Sequence, residues 1–281
     1  MTIATVNELE NALGAQFSKY YSTKNEVSAG NAIVGGFHSY WTGTGFPSAG
    51  AAPGGTTVVL NHLSTGAIPF TQQTSPKQSY LASLAVSCSA SGTTIEIHDR
   101  LIAISGFNGR DSPQTVTGFN LNTVLGTNNI DARKGDANYS DVQWWVEWYA
   151  NTGSATNITV NVTYNDGSTG NLTAISLGAT VRASRMIPLN SAIPAADSGK
   201  YIRGVNSFTL SADTGTNGNL GFTATRYRAA VFMPTVNKLY SNIWAETGLP
   251  EIYNQSCLFP IGIAIATTMG NVRIEGSIVH G

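Results

Sequence analysis

Only 11% of the 281 residues are charged and the formal net charge is −1, against about 25% charged residues in an average soluble domain. That balance offers no general attraction to nucleic acid or to an anionic membrane. Five Trp, eleven Tyr and ten Phe exclude a disordered, highly charged polymer, and polarity comes instead from Thr, Ser, Asn and 30 Gly, residues of turns and strand surfaces.

The helical period is confined to the start of the chain. From Val6 to Tyr21, Leu9, Leu13 and Phe17 fall at i, i+4 and i+8, with Glu8 and Glu10 near the positive end of the dipole. This predicts one helix with a single apolar stripe that needs a surface to cover it. Between Val27 and Pro76 there is no Asp, Glu, Lys or Arg, and Gly-rich runs such as Gly50-Ala51-Ala52-Pro53-Gly54-Gly55 break regular structure. Phe37, Tyr40, Trp41 and Phe46 are interleaved among them. A free solvated linker would rarely carry four aromatics, so residues 1–55 are expected to form a helix plus an extended arm lying on its own domain or on a neighbour. Fully extended, residues 27–55 would reach roughly 95 Å.

From Thr56 onward the period is two. Leu84, Val86 and Cys88 alternate, then Ile95 and Ile97, with the charged triplet His98-Asp99-Arg100 read as a turn before Leu101. Residues 106–141 have weak periodicity and are expected to be a long, contact-forming loop. Val142, Trp144, Val146 and Trp148 share one face of a strand, leaving Trp145, Glu147 and Tyr149 on the other. Ile158, Val160, Val162 and Tyr164 repeat the alternation, and Asn165-Asp166-Gly167 supplies a hairpin turn. Further strands are expected within 201–210, 220–233, 257–267 and 272–279. The fold class that follows is mainly β, an antiparallel β-sandwich or jelly roll spanning residues 56–281. The crossover helices of a parallel sheet are missing.

Chemistry is sparse. The chain has no nucleophile elbow, phosphate loop or dinucleotide fingerprint. Its four His show no metal-ligand spacing, so no cofactor or metal is expected. Asp131, Asp136 and Asp141 fit no calcium loop and read as a bare acidic loop. Glu147 among Trp144, Trp145 and Trp148 has the composition of a sugar platform, and Glu147 or Asp99 would be the acid or base of an enzyme acting on polysaccharide. If Trp145 and Tyr149 are exposed, they mark a protein contact or a glycan contact about equally.

Four phrases in the second half carry a family resemblance. They are Ile158-Thr159-Val160-Asn161-Val162-Thr163-Tyr164-Asn165-Asp166-Gly167, Met186-Ile187-Pro188-Leu189, Gly204-Val205-Asn206-Ser207-Phe208-Thr209-Leu210-Ser211 and Gly248-Leu249-Pro250-Glu251-Ile252. Together, over about residues 140–281, they resemble uncharacterised structural proteins encoded among the virion genes of tailed bacteriophages. The resemblance implies a non-enzymatic, particle-associated role such as head decoration or cement, with the major capsid protein, other virion proteins and copies of the chain itself as partners. It carries over no functional residue. The contact residues expected are Leu9, Leu13 and Phe17 on the helix, Phe37, Tyr40, Trp41 and Phe46 on the arm, and Trp145 and Tyr149 on the strand. The alternative is a tail, neck or fibre component with a protein- or carbohydrate-binding face. No apolar run reaches membrane-spanning length and no signal-type leader is seen, so the chain is expected to be made in a host cytoplasm and to reside in the virion.

Overall fold

The structure is a computed structural model that describes residues 3–15, 17–27, 32–74, 77–110, 112–125, 131–178, 183–214 and 219–281. The chain is mainly β, with antiparallel sheets and a short N-terminal helix. It divides into two compact units. The first comprises residues 1–51, 61–99 and 228–281; the second comprises residues 52–60 and 100–227.

In the first unit the strands Tyr240–Ile243, Ser79–Cys88, Val272–His280, Phe17–Lys24 and Gly45–Phe46 are neighbours in that order. A second set is built on Leu258–Ile263, which pairs with Phe37–Ser39 on one side and with residues 94–99 on the other. Leu84, Val86 and Ile274 from the first set meet Ile95, Ile97 and Leu258 from the second in one buried core. This is the sandwich that period-two patterning predicts.

The helix is shorter than its sequence period suggests. It runs Val6–Ala15, opened by a reciprocal cap in which Glu8 N–H donates to Thr5 Oγ1 (3.2 Å) and Thr5 N–H donates to Glu8 Oε2 (3.0 Å). Leu9 and Ala12 pack on Tyr80, Ala82 and Val279, with Leu13 against the same cluster. Residues 17–21, expected in that helix, belong instead to the strand Phe17–Lys24; Gln16 between them lies outside the described residues. All eight positions of the strand pair with Val272–His280. The competing order wins because it buries Tyr20 and satisfies a whole ladder, whereas a helix would bury only its stripe. Tyr20 lies across Gly276 and donates its hydroxyl to Ser83 O at 2.9 Å. A Cβ at residue 276 would come within 2.6 Å of that hydroxyl, so the crossing requires glycine.

The neutral aromatic segment also departs from expectation. Tyr40 is fully buried and donates to Gly270 O (2.9 Å); Trp41 donates from Nε1 to Ala51 O (2.9 Å) and meets Phe259 edge-on. These two side chains are core of their own unit, which is where residues this apolar go when a sheet is close by. They are not available as anchors on a neighbour.

In the second unit Asn157–Tyr164 pairs with Thr169–Asn171 and Ile202–Leu210, and Val142–Trp148 pairs with Arg185–Pro188 and with residues 220–226. The hairpin turn at Asn165-Asp166-Gly167 is present, closed by Gly167 N–H donating to Tyr164 O. Ile158, Val160, Val162 and Phe208 face Trp144, Val146, Trp148 and Phe222 across a second core. The long segment 106–141 contributes to that core instead of projecting from it. Val116, Phe119 and Leu121 are buried, and Asn120 Oδ1 caps a one-turn helix, Leu121–Val124.

Candidate functional site

Two aromatic surfaces compete for the role, and the structure separates them. Around Val142–Trp148 both faces are covered. Trp145 is 2% exposed and donates from Nε1 to Thr225 Oγ1 at 2.8 Å. Glu147 is buried, bonded to Arg100 at 2.6 Å between Nη2 and Oε2 and at 3.3 Å between Nη1 and Oε1. Tyr149, half-buried, donates to Glu147 Oε2 (2.8 Å) and accepts from Arg100 Nη2 (2.7 Å), while Thr223 donates to Glu147 Oε2 (2.6 Å). Burial pushes the Tyr149 phenol far above its ordinary range. Trp145 and Tyr149, the residues that would mark a contact if exposed, thus border a closed ion-pair network. Carboxylate, both terminal guanidinium nitrogens and the hydroxyls are bonded to one another, and Glu147 is buried among them.

The triplet His98-Asp99-Arg100 is corrected in the same way. It sits inside the strand Thr93–Phe107, not in a turn, and all three side chains are buried. His98 Nε2 meets Glu96 Oε2 at 2.8 Å, and burial is the main cause that lowers the imidazole's pKa. Asp99 accepts from Ser256 Oγ and from Cys257 N–H, each at 2.8 Å. Each charge has a partner because the strand carries no exposed position there to release it to water. Cys88 and Cys257 are both free thiols. Among the described residues no group of three His, Cys, Asp or Glu side chains could hold a metal ion. In the acidic loop Asp136 accepts from Ser140 and Asp141 pairs with Arg226.

The open surface is the outer face of the first unit's sheet. Along Phe17–Lys24 the even residues Tyr20, Ser22 and Lys24 turn inward, leaving Phe17, Lys19, Tyr21 and Thr23 outside. Phe17 is 47% exposed, Tyr21 40% and Phe46 49%. Tyr21 and Phe46 stack at 6.0 Å between ring centroids, and Arg273 lies 5.6 Å from the Tyr21 centroid. Beside them runs a groove of about 380 Å³ lined by Phe17, Lys19, Tyr21, Ser83, Glu275 and Ser277, with Tyr20 and Gly276 at its base. Ser83 and Ser277 share a 2.7 Å hydroxyl bond across the sheet, and Glu275 is held by Arg273 at 3.0 Å.

Of the nine expected contact residues, only Phe17 and Phe46 lie exposed on this face. Leu9 is buried under the helix and Leu13 half-buried beside it; Phe37 is half-buried in its strand; Tyr40, Trp41 and Trp145 are core. Lys19, Tyr21, Glu275 and Ser277 were not singled out from sequence. The signal for them was the alternation of Phe17–Lys24 itself, masked because Leu9, Leu13 and Phe17 also satisfy the helical spacing.

No family model matches the chain, and no curated protein matches it. Among solved structures it is similar to virus particle proteins. These include the T=1 particles derived from infectious bursal virus (12% identity over 94% of this chain and 77% of that one, TM-score 0.19). The infectious bursal disease virus Gt strain gives 10% identity over 94% and 81%, TM-score 0.20. The STIV MCP gives 10% over 93% and 97%, TM-score 0.14. Likenesses this distant say nothing about the chemistry or partners of this chain.

Proposed function

We propose that the chain is a non-enzymatic structural subunit of a virus particle, of the capsid-decoration type, which attaches to the outer shell through the N-terminal strand of its first unit. The observation that carries the reading is the exposed aromatic face of Phe17, Tyr21 and Phe46. Apolar rings left in water on one face of a sheet mark a contact surface. Attachment through a sheet face suits a decorating subunit, because a weak single contact repeated over a symmetric shell gives strong overall retention. The neutral balance of the chain is compatible with packing many copies side by side. Self-association would draw on other exposed apolar side chains, such as Phe232, Val236, Leu239 and Ile243.

Quantitative mass spectrometry of purified particles tests this reading. A molar ratio near a simple fraction of the most abundant shell protein is expected. A ratio far below that assigns the chain to the tail or neck instead, and absence from particles overturns the virion reading. In reconstitution onto particles lacking the protein, the double variant Phe17→Ser, Phe46→Ser is expected to lose retention while remaining folded.

A further inference from the structure

The face described above ends at an open sheet edge, and the two together define a mode of binding. The N-terminal strand has Val272–His280 along all eight positions on one side, but among the described residues it gains a second neighbour only at Thr23 and Lys24, which pair with Phe46 and Gly45. Which backbone groups face the open side follows from two hydrogen bonds. Asn25 N–H donates to Thr44 O at 2.8 Å, in register with the Thr23–Phe46 pair, so odd residues of this strand point their N–H and C=O outward. Independently, Ser89 N–H donates to Asn271 O at 3.0 Å. That turns the odd residues of the C-terminal strand toward Ser79–Cys88 and leaves its even residues for the even residues of Phe17–Lys24. Phe17, Lys19 and Tyr21 therefore present both an unpaired edge and an exposed side chain. Edges of this kind are templates for another strand.

We infer that this edge accepts an extended segment of a different protein as an added antiparallel strand, one that carries a carboxylate opposite Lys19 and apolar side chains on the same face. The inference rests on the proposed attachment through this face and specifies its chemistry. Backbone bonds to Phe17, Lys19 and Tyr21 would supply affinity, and the incoming strand's alternate side chains would pack beside the exposed side chains of those three residues, the division of labour found in strand addition. Charge selects the partner. Glu275 is engaged by Arg273, and among the described residues no ion pair engages Lys19, which is exposed. A second copy pairing about a two-fold axis centred on this stretch would set Lys19 against Lys19, a like-charge juxtaposition that opposes pairing. The same ammonium that rejects self-pairing attracts a strand bearing an acid, so one residue supplies both halves of the discrimination.

Hydrogen exchange on the full chain tests this directly, with the synthetic peptide acetyl-Val-Thr-Glu-Thr-Val-amide as probe, whose Glu and two Val share one face of a strand, and its Glu-to-Lys counterpart as control. The acidic peptide is expected to slow exchange at the amides of Phe17, Lys19 and Tyr21 at least about tenfold, with the basic peptide giving no protection; tenfold corresponds to about 1.4 kcal/mol. Protection that depends on protein concentration without peptide would overturn the inference in favour of self-pairing. Equal protection by both peptides, or none by either, would overturn it as well. Lys19→Pro removes an outward N–H and obstructs an incoming strand while leaving the ladder to Val272–His280 intact, a placement that edge strands tolerate. With unchanged circular dichroism, this variant should lose particle retention. Retention by Lys19→Pro together with loss in Phe17→Ser, Phe46→Ser would sink strand addition and keep the face. Retention by both would remove the attachment reading itself.

Discussion

Two strands rich in aromatic residues, Phe17–Lys24 and Val142–Trp148, look alike on paper and end in opposite environments. Both alternate, and both carry a charged residue on the row opposite their core row. In Val142–Trp148 that second row is Gln143, Trp145 and Glu147, with Trp145 and Glu147 as buried as the first row. In Phe17–Lys24 the second row is Phe17, Lys19, Tyr21 and Thr23, and three of the four are exposed. The difference lies in the partners that arrive from far along the chain. Arg100 and Thr223 bring three hydrogen-bond donor contacts to Glu147, which makes its burial tolerable. Among the described residues nothing comparable meets Lys19. Alternation identifies a strand; whether its second face is wet depends on whether a complementary charge is delivered to it.

The largest effect that would break this comparison is at Glu147. Glu147→Ala leaves the Arg100 guanidinium buried without its carboxylate, and the expected destabilisation is about 3–5 kcal/mol, read from urea unfolding of the whole chain. A loss below about 1 kcal/mol would mean that water reaches Arg100 and that the network is not closed. Trp145→Ala should cost a comparable amount through the cavity left behind.

A second prediction concerns the inner row of the exposed strand. Lys24 is buried, with Nζ donating to Gly43 O (3.1 Å) and Ser48 O (3.0 Å), and burial pushes its pKa down to about 8. In the unfolded chain a lysine titrates near 10.4. Between these values the unfolded state binds more protons than the folded one, so stability should rise as pH increases from about 8 to about 10.4. Below about 8 the penalty for holding the ammonium out of water is present in full. Lys24→Met should flatten that rise in chemical denaturation curves collected across the interval. An unchanged slope would show that the ammonium keeps its water.

What could be read in the sequence follows the same physics. The β class, the two-residue period and the Asn165-Asp166-Gly167 turn were legible, because each depends on neighbours within a few positions. The end of the first helix was not. Leu9, Leu13 and Phe17 satisfy a helical stripe, and only the pairing of residue 17 with residue 279 settles the conflict. Tyr40 and Trp41 were misplaced for a related reason: a neutral Gly-rich stretch is read as an arm until Gly270, Ala51 and Phe259 are brought to it. The triplet His98-Asp99-Arg100 reads as a turn because charges cluster there, yet Glu96, Asp99's donors at 256–257 and Glu147 make each member acceptable inside a strand. Of the candidate face, Phe17 and Phe46 were visible as apolar residues. Their sharing one sheet face was not, since Phe46 reaches Tyr21 only through the short pairing of Gly45–Phe46 with Thr23 and Lys24.

The smallest expected effect sharpens the comparison most. Phe17→Ser removes a ring that is already about half in water, so stability should move by no more than about 0.5 kcal/mol, within the scatter of a thermal melt. The same chemical change at Trp145 removes a ring packed on every side and costs several kcal/mol by the cavity it leaves. A measurable loss of stability in Phe17→Ser would mean that the ring packs into its own unit and is not held out for a partner. Near-neutrality with lost particle retention is the signature of a contact residue, because only the bound state would then register the missing ring.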